Sequence, residues 1–224
     1  MVSGASRGLG FAIAEGLARR GAHVVAIART AGALEALDDR IRSMGGTATL
    51  VPLDIADSGG IDRLGAHIGD RWGRLDLWVH AAIHAPPLSP VTHSFRHDWD
   101  TCLAVNVGAV VGLLSAVTPL LERRSGLVVH VDDAVHTGKF HAAYQASKAA
   151  QGVIFETWSR EQGSRGPELF VFSPRPMPTG VRARFFPGED GTGLNLPEAE
   201  AKRLIVEIER IQDGKKDPGD RFHD

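Results

Sequence analysis

Cysteine and excess charge are both scarce in this 224-residue sequence. The single cysteine, Cys102, excludes an internal disulfide and suits a reducing compartment. A formal net charge of −2 and a pI near 6.6 leave no basic footprint for nucleic acid, and no lysine-rich block points to a membrane surface. These scarcities argue against a disulfide-stapled secreted domain and against a nucleic-acid-binding protein.

Long hydrophobic runs are also missing. The longest mostly apolar run, from Leu103 to Val117, contains Asn106, and we expect it to be too short to cross a bilayer. No secretory signal precedes the glycine-rich start at Gly4. With 43% hydrophobic residues, the chain has enough apolar surface for a full core. We therefore expect a cytoplasmic protein that folds as a single domain over residues 1–224.

The first ten residues form a glycine-rich turn. Gly4, Gly8 and Gly10 precede an apolar stripe with helical spacing, which predicts a strand-to-helix turn whose free N–H groups face an anion such as a diphosphate. Only Met1, Val2 and Ser3 are available for the strand that must precede this turn. We expect either a natural stub strand or, with more weight, a chain whose start has been cut or assigned a few residues late.

Apolar segments of strand and helix type alternate along the rest of the chain. Further strands are predicted at His23–Ala28, Thr47–Leu53, Leu75–Ala82, Gly126–Val131 and Glu168–Phe172. Further helices are predicted at Ala33–Met44, Ile61–Trp72, Phe95–Leu121, Ala142–Gln162 and Pro197–Gln212. This alternation predicts an α/β fold: a Rossmann-like, doubly wound parallel sheet between two layers of helices, with ligands at the carboxyl ends of the strands. A stretch rich in proline and glycine, at about 175–197, is predicted to be a lid-like loop.

Tyr144 and Lys148 stand four residues apart on a predicted helix, and Tyr144 is the only tyrosine in the sequence. Residues at this spacing share one helix face, so the ammonium of Lys148 is expected beside the phenol, where it would lower the pKa of Tyr144 toward neutrality. A tyrosine placed in this way can give a proton to a carbonyl or take one from an alcohol.

Together, the glycine turn and the Tyr-x-x-x-Lys pair resemble the short-chain dehydrogenase/reductase family, with Ser3 in the place of the threonine in TGxxxGxG. The resemblance spans nearly the whole chain. It implies that Tyr144 is the catalytic acid/base, that Lys148 tunes it and orients the ribose, and that Asn106 relays protons. The other interpretation of Asn106 is a polar residue inside an apolar helix that bonds a backbone carbonyl, and both roles can hold together. It also implies that Asp54 lies beside an adenine ring and that Thr179 meets a carboxamide. Further cofactor contacts are implied for Ser6, Leu9, Ile55, Ala81 and Pro174.

Two arginines bear on the choice of cofactor. Arg29 stands at the end of the second predicted strand, where an acid would favour a free ribose 2′-hydroxyl, and Arg7 lies in the glycine turn. Guanidinium groups bind a 2′-phosphate bidentately, so we expect NADP(H), with NAD(H) as the lesser alternative. The competing interpretation is a pair of surface arginines without a ligand.

The sequence departs from the family at several positions. Asp133 stands where the family carries a serine that hydrogen-bonds the reacting oxygen, and an ionised Asp133 would oppose a phenolate at Tyr144. Thr137 could return a hydroxyl if the loop folds differently. Ile83 replaces a glycine, and Arg175 replaces the glycine of a Pro-Gly pair. These changes concern the part of the site that performs chemistry.

The leading interpretation is an NADP(H)-dependent oxidoreductase acting on a small carbonyl or alcohol substrate, with Asp133 or Thr137 in place of the serine. The alternative is an impaired family member that binds nucleotide as a sensor or assembly partner. Basic residues of the lid favour an anionic substrate, unless Glu189 and Asp190 balance them. No metal is expected, because the His80/His84 and His93/His97 pairs lack a third ligand. The two long helices resemble those through which family members form homodimers or homotetramers.

Overall fold

A computed structural model describes residues 1–133, 138–164 and 166–215 of the chain. Its centre is a six-stranded parallel sheet with the strand order β3-β2-β1-β4-β5-β6. The strands are β1 (Val2–Ser3), β2 (His23–Ala28), β3 (Thr47–Pro52), β4 (Leu77–His80), β5 (Leu127–Val131) and β6 (Glu168–Phe172). The order reverses between β1 and β4, which creates the crevice where ligands bind in open α/β sheets. The predicted Rossmann-like fold is confirmed.

The shortest strand, β1, lies in the middle of the sheet. Val2 and Ser3 are fully buried and pair with β2 on one side and with β4 on the other. Two paired neighbours hold this two-residue strand in place. Strands β2 and β6 have the predicted bounds because each is an apolar run that turn residues close at both ends.

Helices cover both faces of the sheet. They are α1 (Gly8–Ala18), α2 (Ala31–Ser43), α3 (Ser58–Trp72), α4 (Arg96–Leu103), α5 (Ala109–Glu122), α6 (Ala142–Gln162), α7 (Gly180–Phe185) and α8 (Pro197–Lys215). Apolar side chains of α1, α2 and α8 form the core on one face, and those of α3, α5 and α6 form the core on the other. These two cores hold the predicted three layers together.

The long helix predicted from Phe95 to Leu121 is interrupted. A π-helical turn over Ala104–Gly108 joins α4 to α5, and Asn106 within it makes hydrogen bonds to other elements of the fold. By length and composition alone the whole segment, Arg96–Glu122, could span a membrane, so the expected exclusion by length was wrong. A core helix passes the same test, and α5 packs its apolar side against α3 and the sheet.

The predicted lid-like loop is also not structureless. It contains α7, which the hydroxyl of Thr179 caps by accepting a hydrogen bond from the backbone N–H of Arg182. Phe185, at the end of α7, is buried against Tyr144 and Ala85. This buried aromatic side chain and the Thr179 cap both stabilise a helix in a segment whose composition predicts a loop.

Candidate active site

The carboxyl ends of the strands enclose a cavity of about 570 Å³. It lies at the switch point between β1 and β4, and every residue that the sequence predicted to bind cofactor lines it. They are Gly4, Ser6, Arg7, Gly8, Leu9, Gly10, Arg29, Asp54, Ile55, Ala81, Tyr144, Lys148, Pro174 and Thr179. Asp133 also lines it, whereas Asn106 does not. The fold therefore brings the glycine turn and the Tyr-Lys pair to one cavity.

The backbone of the glycine turn is open to close approach by a ligand in the cavity. Gly4 and Gly8 have φ values of +85° and +58°, in the left-handed region that favours glycine. A Cβ on Gly10 would lie 2.2 Å from the carbonyl oxygen of Gly4, so the turn folds tightly onto the start of α1. Among the described residues, no side chain caps the N-terminus of α1, whose N–H groups border the cavity. This cradle fits a diphosphate.

The two arginines lie on the wall of the same cavity. Arg29 directly follows β2 and, after burial, is the group that contributes most to lowering the pKa of His84 across the cavity. The guanidinium of Arg7 lies beside Gly180 at the start of α7, where a Cβ would be 3.7 Å from its Nη1. Oδ1 of Asp54 accepts a hydrogen bond from the backbone N–H of Ala56 at 3.0 Å. Positive charge therefore dominates this end of the cavity.

Tyr144 is 1% exposed, and its hydroxyl donates a hydrogen bond to Oδ2 of Asp133 at 2.8 Å. Its ring packs against Phe185 with 4.8 Å between centroids. Burial and the Asp133 carboxylate both raise the pKa of Tyr144 above its usual range. The predicted lowering of this pKa by Lys148 is wrong in this structure, because the group that faces the phenol is a carboxylate.

Lys148 is 3% exposed and lies at the inner wall of the cavity. Its Nζ donates hydrogen bonds to the carbonyl oxygen of Val131 at 3.0 Å and to Oε1 of Gln151 at 2.5 Å, and it lies 3.3 Å from Nε2 of His130. Burial lowers the pKa of Lys148 to about 8. The ammonium is thus held by the sheet and by the next turn of α6.

Asn106 joins its own helical segment to the segment after β4 and to α6. Its side-chain amide donates to the carbonyl oxygen of His84 and to Oγ of Ser147, both at 2.9 Å, and Oδ1 accepts from the N–H of His84 at 2.7 Å. Its backbone carbonyl accepts from Gln151. The interpretation in which Asn106 bonds a backbone carbonyl is confirmed, and the bonded carbonyl is that of His84, in the segment after β4. The proton relay stays a prediction.

Aromatic and paired charged side chains surround the opening near Tyr144. His141 and Phe186 line the cavity beside Phe185. Arg182 is held by Glu189 through two hydrogen bonds of 2.5 Å, which supports the interpretation of a lid whose charge is balanced internally. Thr137, the other candidate for the missing serine, lies outside the described residues.

The two substitutions that the sequence singled out also reach the cavity. Ile83 packs with the cluster around Tyr144 and Phe185. Arg175 lines the wall, and its backbone N–H donates to the buried carboxylate of Glu200 at 3.1 Å. Within the described ranges, no group of three or more His, Cys, Asp or Glu side chains has the arrangement of a metal site.

Sequence reasoning missed three polar residues of the site. Gln151 and His130 contact Lys148, and Asp132 lines the cavity beside Asp133. Gln151 stands three residues after Lys148, so the helical period places both on one face, and a polar residue there was the available signal. His130 and Asp132 belong to an otherwise apolar strand and its end, where polar side chains are uncommon.

Comparison with known proteins agrees with this geometry. The model of the short chain dehydrogenase family matches residues 1–190. D-threitol dehydrogenase of Mycolicibacterium smegmatis is 29% identical over 197 residues, which cover 87% of this chain and 75% of that protein. A short chain dehydrogenase structure from Shigella flexneri, complexed with NADP, has a TM-score of 0.82 and 28% identity, covering 88% of this chain and 84% of that one. A metagenomic short-chain oxidoreductase in complex with NADP has a TM-score of 0.79 and 26% identity, covering 92% and 87%. The chain belongs to the short chain dehydrogenase family and is an oxidoreductase of that family.

Proposed function

We propose that the protein transfers a hydride between NADP(H) and a small carbonyl or alcohol substrate, with Tyr144 as the acid/base. The observation that carries this proposal is the shared cavity, in which Tyr144 and Lys148 face the same space as the glycine turn and Arg29. The turn and the uncapped start of α1 would hold the diphosphate, and Lys148 would hold the ribose. The cofactor supplies or accepts the hydride when it is bound.

Arginine at the end of β2 supports NADP(H) over NAD(H). The guanidinium groups of Arg7 and Arg29 both reach the cavity, and no acid stands at the end of β2 to repel a 2′-phosphate. The two structural neighbours that were solved with NADP agree with this preference. NAD(H) is the weaker ligand in this proposal.

The protonation state of Tyr144 suits a proton donor. Its raised pKa keeps the phenol protonated, and in carbonyl reduction the proton would pass from its hydroxyl to the carbonyl oxygen as the hydride arrives at carbon. In alcohol oxidation the phenolate would take up the alcohol proton, and burial and the Asp133 carboxylate both disfavour that phenolate. We therefore propose that Tyr144 starts the reaction in its protonated form, which reduction can use directly and oxidation cannot.

Tyr144→Phe tests this assignment. The variant is expected to lose activity toward carbonyl substrates by about 10²-fold or more, since it cannot supply the proton, while the dissociation constant for NADPH changes little. The measurement is NADPH oxidation with a panel of aldehydes and ketones, paired with a fluorescence titration of NADPH. Equal activity in wild type and variant, with intact cofactor binding, would reject Tyr144 as the acid.

The contact between Tyr144 and Asp133 favours a second candidate function. A carboxylate at the position of the reacting oxygen disfavours negative charge there, which suits a protein that binds nucleotide without turnover, as a sensor or assembly partner. Tight NADPH binding combined with no activity for any carbonyl or alcohol would select this candidate.

We also propose a homodimer or homotetramer. Val111 on α5 and Val153 on α6 are 53% and 63% exposed, and burial between copies would remove this apolar surface from water. Light scattering that shows only monomer would refute this proposal. A cytoplasmic location, with neither nucleic acid nor membrane as a partner, stays a prediction.

A further inference from the structure

A cluster of buried polar side chains lies beneath the cavity, between the sheet and α6. Its members share a position at the carboxyl half of the central strands or on the facing side of α6, and each is at most 3% exposed. They are Ser3, His80, His130, Lys148 and Gln151. Apolar side chains would carry no such requirement at this place, because each buried polar group costs free energy unless it finds a hydrogen-bond partner.

Gln151 is the centre of this cluster and is fully buried. Its Oε1 accepts from Nζ of Lys148 at 2.5 Å and lies 3.0 Å from Nε2 of His130. Its Nε2 donates to the backbone carbonyl of Asn106 at 2.9 Å and lies 3.3 Å from Nε2 of His80. The opposite orientation of the amide would turn its N–H groups toward the ammonium, so the contacts define which atom is oxygen.

Three separate elements meet at this one amide. His80 and His130 are register partners on the adjacent strands β4 and β5, and Asn106 lies in the π-helical turn between α4 and α5. A π-helical turn shifts the backbone hydrogen bonds of a helix, and here the Asn106 carbonyl is bonded by a side chain of α6. Gln151 therefore ties the ammonium of Lys148 to the backbone of a neighbouring helix.

We propose that Gln151 is a positioning residue, which holds the ammonium of Lys148 at the inner wall of the cofactor cavity from the side opposite the cavity. A buried ammonium needs an acceptor for each N–H, and only Gln151 and the Val131 carbonyl supply oxygen among the described residues. The amide also limits the rotamers of a long side chain that would otherwise be free to move. The functional consequence rests on the proposed role of Lys148.

The charged and titratable groups around Lys148 come from several elements. Two histidines face it from β4 and β5, two carboxylates follow β5, and one phenol precedes it on α6. They are His80, His130, Asp132, Asp133 and Tyr144. Gln151, which is itself neutral, also contacts Lys148 and can be replaced by a neutral or an anionic side chain of similar size.

Two variants of Gln151 separate positioning from packing. Gln151→Met keeps the volume but removes the acceptor, so the titration of Lys148 is expected to move to lower pH; Gln151→Glu adds a carboxylate, so the titration moves to higher pH. Each shift is expected to be about 1 pH unit. The probe is the ¹³Cε NMR signal of Lys148, assigned with Lys148→Met, in the protein without added ligand. Gln151→Met is also expected to weaken NADPH binding by about tenfold.

Gln162→Met is the matched control. It makes the same substitution at the end of α6, where Gln162 donates to the carbonyl of Trp158 rather than contacting Lys148, and it should leave the Lys148 titration in place. Opposite shifts in the two Gln151 variants support positioning, whether or not NADPH binds. An unchanged titration in both overturns it even if the enzyme is active. If Gln151→Met does not fold, the shift in Gln151→Glu decides alone.

Discussion

The hydroxyl of Tyr144 lies 2.8 Å from Oδ2 of Asp133, to which it donates a hydrogen bond. The phenol proposed as the acid/base and a carboxylate are thereby linked at the position where chemistry on a carbonyl oxygen is expected. The carboxylate has two effects, because it keeps the phenol protonated and it repels negative charge on a nearby oxygen.

Replacing the carboxylate by the hydroxyl of the family is therefore expected to improve reduction. Burial raises the pKa of Tyr144 most, and Asp133→Ser removes the second cause, the carboxylate, while it adds a donor to the reacting oxygen. We expect kcat/KM for carbonyl reduction to rise by about tenfold or more, and its alkaline limb to move to lower pH. Asp133→Ala is the control, since it also removes the carboxylate that raises the pKa of Tyr144 but supplies no hydrogen-bond donor. A rate for the serine variant at or below that of the alanine variant contradicts this account.

Acid should destabilise the protein through its buried histidines. Burial lowers the pKa of His130 to about 3, and Nδ1 of His130 has no hydrogen-bond partner among the described residues. The folded-state pKa lies below the unfolded one, so unfolding takes up a proton between about pH 6.5 and 3, and stability falls as the pH falls through this range. His80 acts in the same direction.

For His130 alone, this linkage amounts to about 2 kcal/mol at pH 5 relative to neutral pH. Urea unfolding of wild type and His130→Asn at pH 7 and pH 5 measures it. The variant is expected to lose less stability on acidification than the wild type. An equal loss in both proteins means that His130 is not the group responsible.

Two helical glycines should respond to alanine in opposite ways. A Cβ on Gly10 would collide with the Gly4 carbonyl at 2.2 Å, so Gly10→Ala is expected to cost more than about 3 kcal/mol of unfolding free energy. A Cβ on Gly152 in α6 would meet nothing within 4 Å, so Gly152→Ala is expected to stabilise by about 0.5 to 1 kcal/mol. Thermal unfolding compares the stabilities of the two variants with that of the wild type. A small loss of stability in Gly10→Ala would contradict the close packing of Gly10 against the Gly4 carbonyl.

Local sequence signals predicted most of the frame of the molecule. The apolar run at His23–Ala28 and the helical spacing of Ala142–Gln162 have their predicted bounds, since period and turn residues decide them locally. The order of the strands then brings Gly4 and Tyr144 to one cavity, which follows from the topology rule for open α/β sheets.

The surroundings of Lys148 and the order in the lid could not be predicted in this way. The spacing of Tyr144 and Lys148 indicates a shared helix face, but the direction of the ammonium depends on Gln151 and His130, which contact it across the layers of the fold. Similarly, α7 lies in a proline- and glycine-rich stretch, where Phe185 is buried against Tyr144. Non-local packing overrode local composition in both cases.

The cofactor site is the central claim, and a titration of the purified protein with NADPH and, separately, with NADH tests it most directly. Followed by nucleotide fluorescence, the wild type is expected to bind NADPH more tightly than NADH. Arg29→Ala is expected to weaken NADPH binding by about tenfold or more, because it removes a charged partner of the 2′-phosphate, and to leave NADH binding nearly unchanged. Binding of neither nucleotide, or equal NADPH binding by wild type and Arg29→Ala, would contradict the account.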